Sequence, residues 1–391
     1  MTPSLGRSRI AVVMAFVVCG MMFGSWASRI PAIKDQAGLD SVQLGFALLG
    51  SPLGSVLAMT FAGYAAGKFG SHRMTALMLL VCAVALPFVA AATSFVTLTL
   101  ALFVYGAGYG SMDVCINANG LAIERAGTSP IMSRLHASWS VGSFLGAFST
   151  TIALQLGLSV QQQFSLLAAA MAVSAVILNA TMLPEKHAST RAIFTRPPRR
   201  LVLVGFVALC ALIAEGSIGD WSGVFIKEDI GGTAQDAALA ITFLSAGMAA
   251  ARLAGDRLTQ LLGPVRLVSV GAVVSALGML MALVIAQPPA AILGFACVGM
   301  GVAATYPIAL RTAGSQPGIA SGVGIAAVAT MGSAGAMAAP PLIGTVAGAA
   351  GLRTALAMIV GLLLVLAVTA GRAIGSTRVT APEPAVPAEL T

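Results

Sequence analysis

The chain has 391 residues, of which 58% are hydrophobic and only 9% charged, and its net charge is +8. A soluble domain with so little charge lacks the polar groups to cover its surface, so the apolar residues must face lipid. The basic excess then reads as topology signals and contacts with anionic lipid, which excludes nucleic acid as a partner.

Apolar stretches of about 20 residues, enough to cross roughly 30 Å of hydrocarbon as helices, recur twelve times. They are predicted near residues 10–28, 42–66, 74–93, 95–121, 135–156, 162–183, 201–225, 237–255, 267–286, 290–310, 319–347 and 353–372. Sidedness tests that count. With both termini cytoplasmic, the inner side receives 17 of the basic residues, among them Arg125, Arg134, Arg252, Arg266 and Arg311. The outer side keeps Arg29, Lys34, Lys227 and Arg353. That asymmetry obeys the positive-inside rule.

The first span begins like a signal peptide, with small Ala27 and Ser28 near its end. Trp26, however, has a counterpart in Trp221, so the span is expected to stay in the mature chain. Residues 1–183 and 201–373 are expected to form two six-helix bundles. Between them runs a basic cytoplasmic linker from Pro184 to Arg200, and residues 374–391, with Pro382, Pro384 and Pro387, form a disordered tail. The five cysteines fall inside apolar spans without ligand spacing and read as packing residues. No cofactor, metal or enzyme motif is expected.

The two halves repeat one small vocabulary. Gly24-Ser25-Trp26 recurs as Gly219-Asp220-Trp221, Gly70-Ser71-His72-Arg73 as Gly263-Pro264-Val265-Arg266, and Gly106-Ala107-Gly108 as Gly299-Met300-Gly301, at offsets of 193 to 195 residues. Duplication in so apolar a chain is the pattern of a carrier built from two related halves.

Twelve spans, a basic central linker and glycine-basic turns after spans two and eight resemble the major facilitator superfamily. The first turn offers Gly63, Lys68, Gly70 and Arg73 at the positions of the family's signature loop, with Gly67 where an Asp is usual. The second turn keeps the pair Asp256 and Arg257. The resemblance therefore implies a cytoplasmic charge latch carried mainly by the second half. Trp26 with Arg29-Ile30-Pro31, Asp113 with Asn117, His136 with Trp139, and Glu215 with Asp220-Trp221 look like the branch of fucose-permease-type sugar-proton symporters.

A carboxyl in a bilayer core costs about 2.5 to 3.5 kcal/mol on insertion scales, so embedded acids are functional candidates. Asp113 lies 11 residues from Glu124 at the inner rim, about 16 Å deep. Gly106, Gly110, Asp113 and Asn117 share one face, expected to line water, although Asp113 and Asn117 also suit bonds to a neighbouring helix. Glu215 sits at similar depth in span seven, on a face continuing through Gly219. The resemblance implies that spans one, four, seven and ten line a common cavity, which brings these acids together. A proton-coupling or substrate-binding group, as for Asp113 and Asn117, and a carboxylic acid bonded within the bundle are the two readings open to Glu215.

Asp220, paired with Arg29, and the matched Trp26 and Trp221 are expected as an outer gate, the rival reading being an interfacial aromatic belt. His136, Trp139 and Tyr306 are expected at the cavity or its inner mouth, where each is otherwise a packing residue. With no deep Lys or Arg to grip an anion, a neutral polar solute such as a sugar is favoured. The expectation is a monomeric, proton-coupled carrier of the inner membrane, whose partners are solute, protons and lipid. A proton-driven exporter of drugs or amphipathic metabolites is the alternative.

Overall fold

A computed structural model describes residues 4–127, 131–184, 201–319 and 321–375. Most of the expected linker and all of the tail beyond Gly375 lie outside them. The described chain is helical: α1 (Leu5–Gln36), α2 (Ser41–Leu48), α3 (Gly50–Phe69), α4 (Ser71–Ala90), α5 (Phe95–Ala126), α6 (Met132–Gln155), α7 (Val160–Thr181), α8 (Val202–Val224), α9 (Ala234–Ile285), α10 (Pro288–Val302), α11 (Thr305–Gly314), α12 (Ser321–Ala350) and α13 (Leu352–Gly375).

Ten helical segments are long and apolar enough to cross a membrane; α2–α3 and α10–α11 each form one of them. The 52-residue α9 is too long for one crossing. It breaks at Gly263 (φ 74°, ψ 158°) and doubles back, since Gly247 before the break and Gly271 after it both pack on α10. With α9 counted as two arms and the 24-residue α6 added, the described helices make twelve spans.

The two ends of the molecule turn by different means. At one end, α2, α5, α7 and α9 each begin with a capping box, Asp40 with Gln43, Ser94 with Thr97, Ser159 with Gln162 and Thr233 with Asp236. Each box satisfies amides that the first turn leaves without partners. At the other end, Gly70 (φ 97°) and Gly263 make the tight turns, so two glycines paired by the repeat share a backbone region closed to other residues. This second end, the inner end by the sidedness expected from the basic residues, also holds both ends of the described chain: Ser8 Oγ donates to the Thr181 carbonyl, and Gly375 lies beside Val265.

Packing within each half rests on small residues. Gly20 and Gly24 of α1 interlock with Gly142 and Gly146 of α6, and Gly50 and Gly54 of α3 with Gly106 and Gly110 of α5. Lipid provides little drive for helix association, so close backbone approach must supply it through dispersion. Between the halves, α6 meets α9 through Ser143 and Ser245, whose hydroxyls are 2.7 Å apart. Toward the outer end, α2 meets α12 where a side chain on Gly45 would stand 2.6 Å from the Pro340 carbonyl oxygen.

Candidate functional site

Asp113 projects from the middle of α5, anchored in depth by Glu124, whose carboxylate caps α6 through the amides of Ile131 (2.6 Å) and Met132 (3.1 Å). Asn117, one turn on, donates its Nδ2 to Asp113 Oδ1 at 3.1 Å. Tyr109, one turn back, accepts from Trp139 Nε1 at 2.9 Å. Tyr306 of α11 is half-buried and faces Gly332 of α12.

Arg252 of α9 changes the chemistry expected of the site. The sequence places it among the inner-rim cations. In the structure its Nη1 donates to Ser140 Oγ at 2.6 Å, its Nη2 stands 3.6 Å from Glu215 Oε1, and its guanidinium carbon lies 5.5 Å from the Trp139 ring centroid. The expectation of a site without a deep cation is thus corrected. The long arginine stem lifts the charge from a backbone position nearer the rim toward the carboxyls. Trp139 also packs on Phe23, ring centroids 5.3 Å apart, so α1, α5, α6, α8 and α9 converge on this cluster.

Below it opens an inner cavity of about 240 Å³ lined by His136, Arg252, Asp256, Thr259, Pro307 and Arg311. His136 is exposed there and meets Phe16 edge-on at 5.6 Å. Among the described residues no ion pair joins Asp256 or Arg257 to Lys68 or Arg73, and Lys68 instead lies over the Phe69 ring. Gly106 and Gly110 do not line water as expected: they pack on Ser51 and Ser55 of α3, while Asp113 and Asn117 stay half-exposed.

The outer end is shut, by residues other than those expected. Arg29 does not pair with Asp220. Its Nε donates to Gln163 Oε1 at 2.6 Å and its Nη2 to the Leu158 carbonyl at 3.0 Å, both on the α6–α7 side, because the guanidinium leaves α1 away from α8. Trp26 is 6% exposed and Trp221 fully buried, so neither forms an interfacial belt. Closure comes from Lys34, whose Nζ donates to Glu228 Oε1 (2.5 Å) and Oε2 (2.6 Å), and from Lys227 paired with Asp35. The signal for these residues was present: Lys34-Asp35 recurs as Lys227-Glu228 at the 193-residue offset of Gly70 and Gly263. Counting lysines for sidedness separates each from its acidic neighbour.

Among the described residues, helices long and apolar enough to cross a membrane surround a polar centre that ion pairs close at one end and a cavity enters from the other, the architecture of a polytopic membrane protein. Comparison with known proteins makes this specific. The Major Facilitator Superfamily family model matches residues 204–390. An uncharacterized MFS-type transporter of Yersinia pestis is 31% identical over 93% of this chain and 94% of its own length. Membrane protein MosC of Rhizobium meliloti is 29% identical over 91% and 88%. Among solved structures, the nucleoside transporter NupG superposes with a TM-score of 0.71 at 15% identity, over 93% of this chain and 98% of that one. The human organic anion transporter MFSD10 does so with 0.68 at 15%, over 94% and 100%. The chain belongs to the major facilitator superfamily, and it is a transporter, not an enzyme.

Proposed function

We propose that this transporter couples protons to the movement of a small polar solute across the bacterial inner membrane by alternating access, with both termini cytoplasmic. The observation that carries the proposal is a chain of contacts between the carboxyl-bearing helices of the two halves: Tyr109, one turn from Asp113 on α5, accepts from Trp139, whose ring lies under Arg252, and Arg252 faces Glu215 on α8. The two carboxyls differ in what faces them. Glu215 faces Arg252, whereas among the described residues Asp113 takes the Asn117 amide and no salt bridge. Asp113 is therefore the group whose charge a proton must cancel before the loaded site reorients, since moving an ion through a low-dielectric core is costly.

The solute class follows from the same atoms. Arg252 is neutralised by Glu215 and further held by Ser140, so its charge is engaged within the protein. What remains for a solute is the Tyr109 hydroxyl, which can still donate, and the Asn117 carbonyl oxygen, beside the edge of the Trp139 ring. Such groups suit a neutral, hydroxylated ring such as a sugar. A membrane potential contributes about 2.3 kcal/mol per charge per 100 mV, enough for accumulation on the order of 50-fold with one proton.

Uptake of labelled sugars into proteoliposomes under an imposed inward proton gradient tests the reading. Accumulation that an uncoupler abolishes supports symport. Dye extrusion that needs an inward gradient, without sugar uptake, would point instead to a drug exporter.

A further inference from the structure

The outer closure has a symmetry that its chemistry explains. Lys34 and Asp35 end α1, and Lys227 and Glu228 lie at the matching end of the α8 segment, 193 residues on. Each dipeptide carries a cation followed by an anion. Neither lysine pairs within its own half: Lys34 takes Glu228, and Lys227 takes Asp35. A contact between two repeats related by a two-fold is self-complementary, so residue i meets j′ while j meets i′. One basic-acidic dipeptide, duplicated, thus makes two opposite-charge pairs when the outer ends meet.

The backbone adapts to this. After Val224 the helix widens into a π turn over Phe225–Asp229, with the Ile230 amide bonding the Phe225 carbonyl at 3.3 Å. A π turn rotates the following side chains relative to α-helical register, and such turns recur at functional sites. Beneath the pairs, Gly223 and Gly219 of α8 run along Pro31 and Phe23 of α1, so the seam is continuous from the pairs down to the central cluster.

We infer that Lys34, Asp35, Lys227 and Glu228 form the outer gate of the transport cycle: a reciprocal two-fold latch that closes only when the cavity faces inward and must open for solute to enter from outside. The two arms are unequal. The Lys34 side chain is 9% exposed and the Lys227 side chain 32%, so salt screens the second arm more and the first carries most of the closure. This latch rests on the alternating-access reading above, yet it can be measured without solute or proton gradient.

The test adds a cysteine at Gly219, below the latch, where its Cβ meets only the end of the Phe23 ring. Its modification by a membrane-impermeant maleimide is followed from the face opposite the termini, and labelling of the parent protein is subtracted. The latched protein should react slowly. Lys34→Glu with Lys227→Glu should raise the rate at least fivefold, and adding Asp35→Lys with Glu228→Lys, which re-forms both pairs with their charges exchanged, should return it to within twofold of the start. Milder variants guard against misfolding. Lys34→Gln and Glu228→Gln should each speed labelling, Lys227→Gln should do so less, and the double variant Lys34→Gln/Glu228→Gln should react no faster than either single one. Rates that ignore these changes, that add in the double variant, or that stay high after the charges are exchanged would overturn the latch. Loss of proton coupling with the labelling pattern intact would fault the proposed function alone.

Discussion

Arg252 and Trp139 meet across the two halves, the guanidinium of α9 lying over the indole of α6 at 5.5 Å. The contact does two things. It holds the arginine beside Glu215, and it keeps one indole face in the site where Tyr109 fixes the ring through its Nε1. Such a cation over an aromatic ring contributes about 0.5 to 2 kcal/mol. Trp139→Ala should therefore raise the half-saturation concentration for solute by about 2- to 30-fold in proteoliposome uptake. Trp139→Phe, which keeps a ring but loses the bond to Tyr109, should fall between wild type and the alanine variant.

Glu215 and Arg252 should prove interdependent in stability. Removing one partner strands the other's charge in a partly desolvated place, at a cost of about 1 to 3 kcal/mol, less than for a fully buried pair because both groups keep some exposure. Glu215→Gln and Arg252→Gln should each lower the thermal midpoint in detergent, and the double variant should regain most of the loss. Midpoints that simply add would show that the pair does not couple.

Gly263 is required by its backbone angles and not by crowding, since a Cβ there would touch nothing within 4 Å. Its φ of 74° with ψ of 158° is a region that costs other residues about 1 to 3 kcal/mol. Gly263→Ala should lower the midpoint accordingly. Gly255→Ala, on the same helix and equally open, should hold or raise it, because alanine is the better helix former by about 1 kcal/mol.

Span count and the duplicated turns were legible in the sequence, because the hydropathy pattern depends only on position along the chain. What was not legible depends on side-chain reach and direction. Arg252 reads as an inner-rim cation when residues are placed by their Cα depth, but its stem carries the charge up to Glu215. Arg29 reads as a gate partner of Asp220 when helices are aligned by repeat, but rotation about α1 turns it toward Gln163. Gly106 and Gly110 share a face with the acid in projection, yet they serve the α3 contact, a distinction set by which neighbour lies there. Lys34 and Lys227 were visible as outer cations, while their exchange of partners emerges only when the halves are docked.

Whether Asp113 carries the coupling proton in a site shared by both halves is read from solute accumulation in Asp113→Asn proteoliposomes under an imposed proton gradient, beside counterflow exchange in the same vesicles. Accumulation above equilibrium should be lost while exchange of labelled for unlabelled solute continues, because the site still binds and reorients without a charge to cancel. Gradient-driven accumulation at the wild-type level in that variant would contradict a coupling role for Asp113.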